Sequence, residues 1–293
     1  MKSKYGIHHS LSPVMELTTM VGCPLMCSFC PQENLRDNYG EKTKYMKPMD
    51  LVTVLCKLPS NTRIDFSGMS EPWANPDCTT MLESVLYMGF TVAIYTTLYG
   101  MTNEDARKVK KLLEDHPKQV EVIMFHLPDS NGNIKGWKYS EEWVESLRIM
   151  TELELPCGFN AMTMDGSGKV HADLQDMIGD LPGWKGHTRA DSLNVEQVGE
   201  QALSLTPRHD FALTCASTPF YDRNVLLPNG DVVLCCMDYN LKHVIGNLLE
   251  QSYEEIFQSK PLLDLIAMNE KPEFNKCSIC KSCDNVRKIY DRV

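Results

Sequence analysis

Three cysteines stand in the run Cys23-Pro-Leu-Met-Cys27-Ser-Phe-Cys30, a C-x3-C-x2-C spacing. Thiolates are the ligands of iron–sulfur clusters, normally four to a cubane. Three thiolates leave one iron without a protein ligand, and an open coordination position is what a metal site needs to bind and activate a substrate. Structural zinc sites prefer two C-x2-C pairs or mixed Cys/His sets, so the triplet suits zinc poorly. The chain has 12 cysteines in 293 residues, and they cluster near the two ends, in residues 23–30 and 215–283. Met1–Ser12 is polar and lacks the apolar stretch of a secretion signal. The expectation is therefore metal or redox chemistry in a reducing cytoplasm rather than a disulfide framework.

Positioning such a loop calls for a rigid scaffold, and the segment pattern supplies one. Strands are predicted at Val14–Met20, Arg63–Ser67, Thr91–Thr97, Val120–Leu127 and Pro156–Thr163, with a short sixth ending near Gly186–Ala190. Helices are predicted between them at Asp50–Leu58, Cys78–Met88, Asn103–Asp115 and Glu141–Leu153. Alternation of strand and helix implies βα units and a parallel sheet. Six strands are fewer than the eight of a closed barrel, so an open or partial barrel is expected. Its chemistry belongs at the C-terminal strand ends. The cysteine triplet follows the first strand, Glu71 the second, Thr96 and Thr97 end the third, and His126 ends the fourth. Beyond Ser192, short strands at Asn224–Leu227 and Asp231–Cys235 flank a Pro-Asn-Gly turn, and a helix is expected at Tyr253–Met268. The net charge of −10 disfavours nucleic acid as a partner. No stretch of 18 or more apolar residues suggests a membrane span.

With these residues in view, the chain resembles the radical SAM superfamily. Cys23, Cys27 and Cys30 carry the resemblance, with Phe29 just before the last cysteine. The resemblance implies a [4Fe–4S] cluster whose open iron chelates S-adenosylmethionine (SAM). Its reductive cleavage to a 5′-deoxyadenosyl radical, which takes a hydrogen atom from substrate, follows. Phe29 would lie near the adenine or serve core packing. Phe66-Ser-Gly-Met-Ser70-Glu71 resembles the family's Gly-Gly-Glu segment, with Met69 and Ser70 at the two glycine positions and Glu71 near the SAM ammonium. Thr96, Thr97 and Asn160 resemble positions that touch the SAM ribose or carboxylate. His126, followed by Asp129, faces the same mouth as a ligand or acid/base group.

The C-terminal cysteines resemble the SPASM/twitch extension, which binds auxiliary iron–sulfur clusters. The resemblance implies one further [4Fe–4S] cluster on Cys215 and Cys235 plus a pair from Cys277, Cys280 and Cys283, with Cys280 and Cys283 favoured. Zinc on the same four thiolates is the alternative. The implied architecture is a partial (β/α)6 TIM-like radical SAM barrel over residues 1–191 and a small twitch/SPASM extension over residues 192–293. Chains of this size and type resemble dehydrogenases that oxidise a secondary alcohol of a sugar or aminocyclitol, with the auxiliary cluster as electron acceptor. Arg189 is then the candidate for contact with the substrate hydroxyl, against an ion pair with Asp191. A peptide-modifying maturase, or a redox-neutral epimerase with Cys236 or Cys157 returning a hydrogen, are the other enzymatic readings. An iron–sulfur carrier is the non-enzymatic one. A flavodoxin- or ferredoxin-type electron donor is implied throughout.

Overall fold

The computed structural model describes residues 12–40, 42–183, 189–190, 192–193 and 208–289. Five short strands run parallel: β1 (Val14–Leu17), β2 (Arg63–Phe66), β3 (Thr91–Thr96), β4 (Val120–Leu127) and β5 (Asn160–Thr163). Their side chains alternate with period two, as a pleated strand requires. Met15, Leu17, Ile64, Phe66, Val92, Ile94, Ile123 and Phe125 join one buried core. The helices α2 (Pro48–Leu55), α3 (Cys78–Tyr87), α4 (Asn103–Asp115) and α5 (Glu141–Thr151) cover that face with Val54, Leu82, Val109, Leu147 and their neighbours. Helix α2 starts at Pro48, two residues before the expected Asp50, while α4 and α5 start at side-chain caps. Thr102 and Asp105 form a reciprocal capping box for α4, and Ser140 accepts from the Trp143 N–H ahead of α5.

The opposite face carries the alternate residues, and several are charged. Arg223 bonds Glu16 at 2.8 Å and reaches Asp65 at 3.5 Å, and Arg63 bonds Asp65 at 2.7 Å. Glu16 and Asp65 are buried. Arg223 opens β7 (Arg223–Leu226), which pairs in parallel with β1, while β8 (Asp231–Val233) and β9 (Val244–Asn247) continue antiparallel. The eight-stranded order is β5-β4-β3-β2-β1-β7-β8-β9. The C-terminal hairpin therefore extends the main sheet across β1. A separate two-stranded ribbon pairs β6 (Leu213–Cys215) with β10 (Val286–Lys288).

Several expectations change. The helix expected at Tyr253–Met268 is two helices, Tyr253–Phe257 and Lys260–Asn269. Pro261 sits in the first turn of the second, where a missing N–H is harmless, and it cannot lie inside a continuous helix. The fifth strand begins at Asn160 rather than Pro156, because Gly158 turns with φ +61°. A helix absent from the sequence expectations, α1 (Gln32–Tyr39), follows the cysteine loop. The sixth strand and the boundary expected at 191/192 fall largely outside the described residues; Arg189 and Ala190 form a turn at positive φ. Among the described residues, no helix is long and apolar enough to cross a membrane.

The charged ladder predicts a specific weakness. Arg223→Met would leave Glu16 and Asp65 buried without one of their cations and should cost about 3 kcal/mol in urea unfolding. A cost within about 0.5 kcal/mol of zero would mean the ladder is not desolvated as described.

Candidate active site

The cysteine loop leaves β1 through Thr18 and Thr19, both buried. The Thr18 hydroxyl accepts from the Met69 N–H at 3.0 Å, and the Thr19 hydroxyl donates to the Pro72 carbonyl at 2.8 Å. These bonds draw the loop after β2 across the end of β1. The crossing is close: at Gly68, with φ +51°, an added Cβ would lie 2.5 Å from the Leu17 carbonyl oxygen. Only glycine fits there, which explains why Gly68 remains when the neighbouring positions hold Met69 and Ser70. Met69 is buried in a second core with Val21, Leu35, Tyr39, Val225 and Tyr239, beneath the loop. Ser70 is half-buried and its hydroxyl lies 3.5 Å from the Met20 N–H.

A second brace comes from the loop after β4. The Ser28 N–H bonds the Asn133 carbonyl at 2.9 Å, and the Gly136 N–H bonds the Leu25 carbonyl at 2.8 Å. Cys27 pairs with Ile134 as an antiparallel bridge. At Gly136 a Cβ would come within 2.2 Å of the Pro24 carbonyl oxygen. Asp129 holds this brace in shape, its Oδ1 accepting from the Asn131 N–H, the Asn133 N–H and the Asn133 side-chain amide at 2.9, 3.2 and 3.0 Å. Phe29 is buried against Leu25 and Ile134, with Cys23, Cys27, Tyr99 and Met164 around that cluster.

The three thiols lie near one another and near Glu71. Burial pushes the Cys23 thiol up to about 11, against the backbone N–H groups of Glu71 and Leu25 that point at its sulfur. Cys27 is pushed up by burial and then by the Cys30 and Cys23 thiols. The Cys30 Sγ lies 3.7 Å from the Tyr239 hydroxyl and 3.6 Å from the Gln32 amide nitrogen. Ligation must displace these protons, so metal binding and thiol deprotonation are coupled.

Glu71 is buried and its carboxylate is already occupied. Oε1 accepts from the Thr96 hydroxyl at 2.5 Å and the Trp73 N–H at 3.4 Å; Oε2 accepts from the Thr97 N–H at 2.7 Å and hydroxyl at 2.8 Å. Burial nevertheless raises its pKa. Thr96, Thr97 and Glu71 thus form one unit that ties the β2 and β3 loops together. Asn160 is exposed at the first position of β5, level with Met124 and below His126, and the structure does not bring it into this unit.

Across the mouth, Arg189 lies within electrostatic reach of Tyr239, Cys236, Cys30 and Glu16, and its guanidinium sits 5.8 Å from the Tyr239 ring centre. It is turned inward, and Asp191, its alternative partner, is outside the described residues. His126 stacks obliquely with Tyr95 at 6.1 Å. Burial, with Arg189 adding to it, pushes its pKa down to about 4, so the ring is neutral at neutral pH.

The second cysteine set is assembled from distant segments. Burial raises Cys235, with the thiols of Cys236, Cys280 and Cys283 contributing. Burial pushes Cys280 up to about 12, with Cys283 and Cys215 adding to it, and Cys283 up to about 11, with Cys215 adding. Cys215, Cys235, Cys280 and Cys283 therefore form one neighbourhood. Cys277 is exposed and lies outside it. The β6–β10 ribbon sets Val286 opposite Cys215, and buried Lys281 anchors the Cys280 turn by donating to the Phe211 and Lys271 carbonyls at 2.7 Å each. Among the described residues, no three His, Cys, Asp or Glu side chains converge closely enough for one metal ion. A cubane spreads its four thiolates over a wider shell than a single ion does, and this donor set suits it chemically.

Residues 215–284 match the model of SPASM, an iron–sulfur cluster-binding domain. No curated protein matches the chain in sequence. Among solved structures, the chain is similar to BtrN in complex with AdoMet and 2-DOIA, with a TM-score of 0.58 and 17% identity over 94% of each chain. It is also similar to anSMEcpe with bound AdoMet, at a TM-score of 0.55 and 12% identity over 88% of this chain and 84% of that one. The same enzyme with AdoMet and the Cp18Cys peptide gives a TM-score of 0.52 and 13% identity, with the same coverage. The chain thus has the partial-barrel fold shared by radical SAM enzymes, with a SPASM-type iron–sulfur segment at its C-terminal end.

Three outcomes follow from this geometry. Tyr239→Phe removes the hydroxyl facing Cys30 and should lower the midpoint potential of a cluster on that site without loss of iron, as read by EPR-monitored redox titration. Cys280→Ala should cost about four irons per chain, whereas Cys277→Ala should cost none. His126 should stay neutral by NMR down to about pH 5. Its depressed pKa means stability is complete above about 6.5 and falls as pH drops towards about 4.

Proposed function

We propose that this chain is a radical SAM oxidoreductase. Cys23, Cys27 and Cys30 would hold a [4Fe–4S] cluster over which SAM binds, and Cys215, Cys235, Cys280 and Cys283 would hold a second [4Fe–4S] cluster. The single observation that carries the reading is the pairing of an incomplete ligand set, in a braced loop at the mouth of the sheet, with a separate four-thiol neighbourhood. When bound, the first cluster with SAM supplies a hydrogen-abstracting radical, and the second supplies a one-electron acceptor.

The preferred reaction is oxidation of a secondary alcohol in a sugar or aminocyclitol. Its support is the cluster arrangement, the full-length similarity to BtrN, and the polar inner wall. Arg189, a permanent cation beside Tyr239 and Cys236, would stabilise a deprotonated hydroxyl. His126 acts there as a neutral hydrogen-bonding group, because a base with so low a pKa holds few protons at neutral pH. Glu71, Thr96 and Thr97 orient the cofactor side of the mouth, with the Glu71 N–H directed at Cys23. Reduction calls for a one-electron donor of the flavodoxin or ferredoxin kind.

A second reading has one observation in its favour. Cys236 is outside the four-thiol set, and its environment is formed by Glu16, Arg189 and Arg223 on the inner face. A thiol there can return a hydrogen atom to a substrate radical, which would make the reaction redox-neutral. Product analysis decides between them. With candidate polyols, SAM and reductant, oxidation predicts one 5′-deoxyadenosine per carbonyl formed, and Cys27→Ala should form none. 5′-Deoxyadenosine from Cys27→Ala would refute the first-site assignment. Solvent deuterium at carbon without a carbonyl, lost in Cys236→Ala, would select the redox-neutral reaction.

A further inference from the structure

The helix Lys260–Asn269 buries Leu262, Leu265 and Asn269 on one face. That spacing calls for a third apolar residue, and the chain puts an amide there instead. Asn269 is 0% exposed. A buried amide is tolerated where its polar groups are bonded, and asparagine brings two N–H donors and one carbonyl acceptor. Its Oδ1 accepts from the Ser278 hydroxyl at 2.6 Å, and its Nδ2 donates to the Tyr221 hydroxyl at 3.1 Å. Ser278 and Tyr221 are buried as well. Ser278 thereby fixes the amide's orientation, with the oxygen held and the nitrogen turned the other way.

This network surrounds Cys280. Ser278 precedes it in the same turn, and Tyr221 stands within electrostatic reach of both Cys280 and Cys215. Burial raises the Cys280 thiol, and the Asn269 amide, within hydrogen-bonding reach of the sulfur, is the largest influence opposing that rise. One Nδ2 proton goes to Tyr221, which leaves the other for the sulfur. Two other thiols of the set take backbone donors, Cys283 from the Asn285 N–H at 3.4 Å and Cys235 from the Met237 N–H. Cys280 takes its donor from a side chain on a helix that carries no thiol. A hydrogen bond to a cluster sulfur is stronger when the cluster is reduced and more negative, so it raises the reduction potential.

We propose that Asn269 is a positioning residue for the second cluster: its amide, oriented by Ser278, donates to the Cys280 sulfur and raises the potential at which that cluster takes an electron. The inference rests on the second-cluster reading above and adds the residue that poises it. A raised potential suits an electron acceptor, whereas a redox-neutral reaction has no use for one.

The test is an EPR-monitored redox titration of the anaerobically reconstituted full chain, with its iron content. Asn269→Leu keeps the shape of the side chain and removes the donor. It should load about eight irons and make reduction of the second cluster about tenfold less favourable, a midpoint about 59 mV lower for a one-electron couple, with the SAM-sensitive signal unmoved. Ser278→Ala releases the amide without altering it, and should shift the same potential in the same direction by a smaller amount. An Asn269 that only held the fold together would leave the potential where it was in both variants, and that result would overturn the proposal. If Asn269→Leu loads only about four irons, Ser278→Ala decides by the same criterion. Cys280→Ala separates this inference from the reading beneath it. Full iron in that variant would remove the second cluster from these thiols, and the role of Asn269 with it. Loss of about four irons there, with no shift in the Asn269 and Ser278 variants, would overturn the role of Asn269 alone.

Discussion

Three thiols can share one cluster only if the loop that carries them is held from outside. Residues 23–30 have almost no regular structure of their own. Their geometry comes from two backbone crossings. One passes through Gly68 over the end of β1, and the other through Gly136 against Pro24. Both approaches are closer than any Cβ permits, so they depend on glycine more than on any side chain. Glu71 adds to the first crossing by spending its whole carboxylate on Thr96, Thr97 and Trp73. Asp129 adds to the second by gathering three donors on one oxygen. The loop is therefore preorganised by backbone contacts and buried carboxylates, and its thiols remain available.

Charge on the inner face is the second constraint. Glu16, Asp65, Arg63 and Arg223 compensate one another across β7, β1 and β2. Paired in this way, buried charges are tolerated, though they are costly when one partner is lost. Arg189, Cys236 and Tyr239 continue the polar wall towards Cys30, which joins the SPASM segment to the first cysteine site. The joint is physical as well as chemical, because β7 pairs directly with β1 and Tyr239 reaches Cys30 from only four positions beyond Cys235. The two cysteine sets are thus parts of one framework.

Much of this was legible in the sequence, and the limits have clear causes. The cysteine triplet, the alternating strands and helices and the Pro-Asn-Gly hairpin are local patterns, and local patterns survive into the fold. Cys277/Cys280 and Cys280/Cys283 have the same spacing, so only the assembled ribbon and the buried Lys281 anchor separate them. The bonds of Glu71 to Thr96 and Thr97 gave no local signal, because those partners lie about 25 positions away on the next strand. Asn133 and Gly136 gave no signal, since their role is to approach a loop more than 100 residues earlier. Pro261 did signal the helix break, and the apolar periodicity on either side concealed it. The charged inner face was also visible in principle, as Glu16, Arg63 and Asp65 interrupt strands that are otherwise apolar.

A chain with these two thiol sets should hold a SAM-binding cluster on one and a second cluster on the other. Iron and sulfide content of the anaerobically reconstituted protein, with EPR of the reduced form with and without SAM, tests it most directly. The account expects about eight irons per chain and one reduced signal that shifts on adding SAM while another does not. About four irons with a signal indifferent to SAM would contradict it, leaving the Cys23–Cys30 loop without the role assigned to it here.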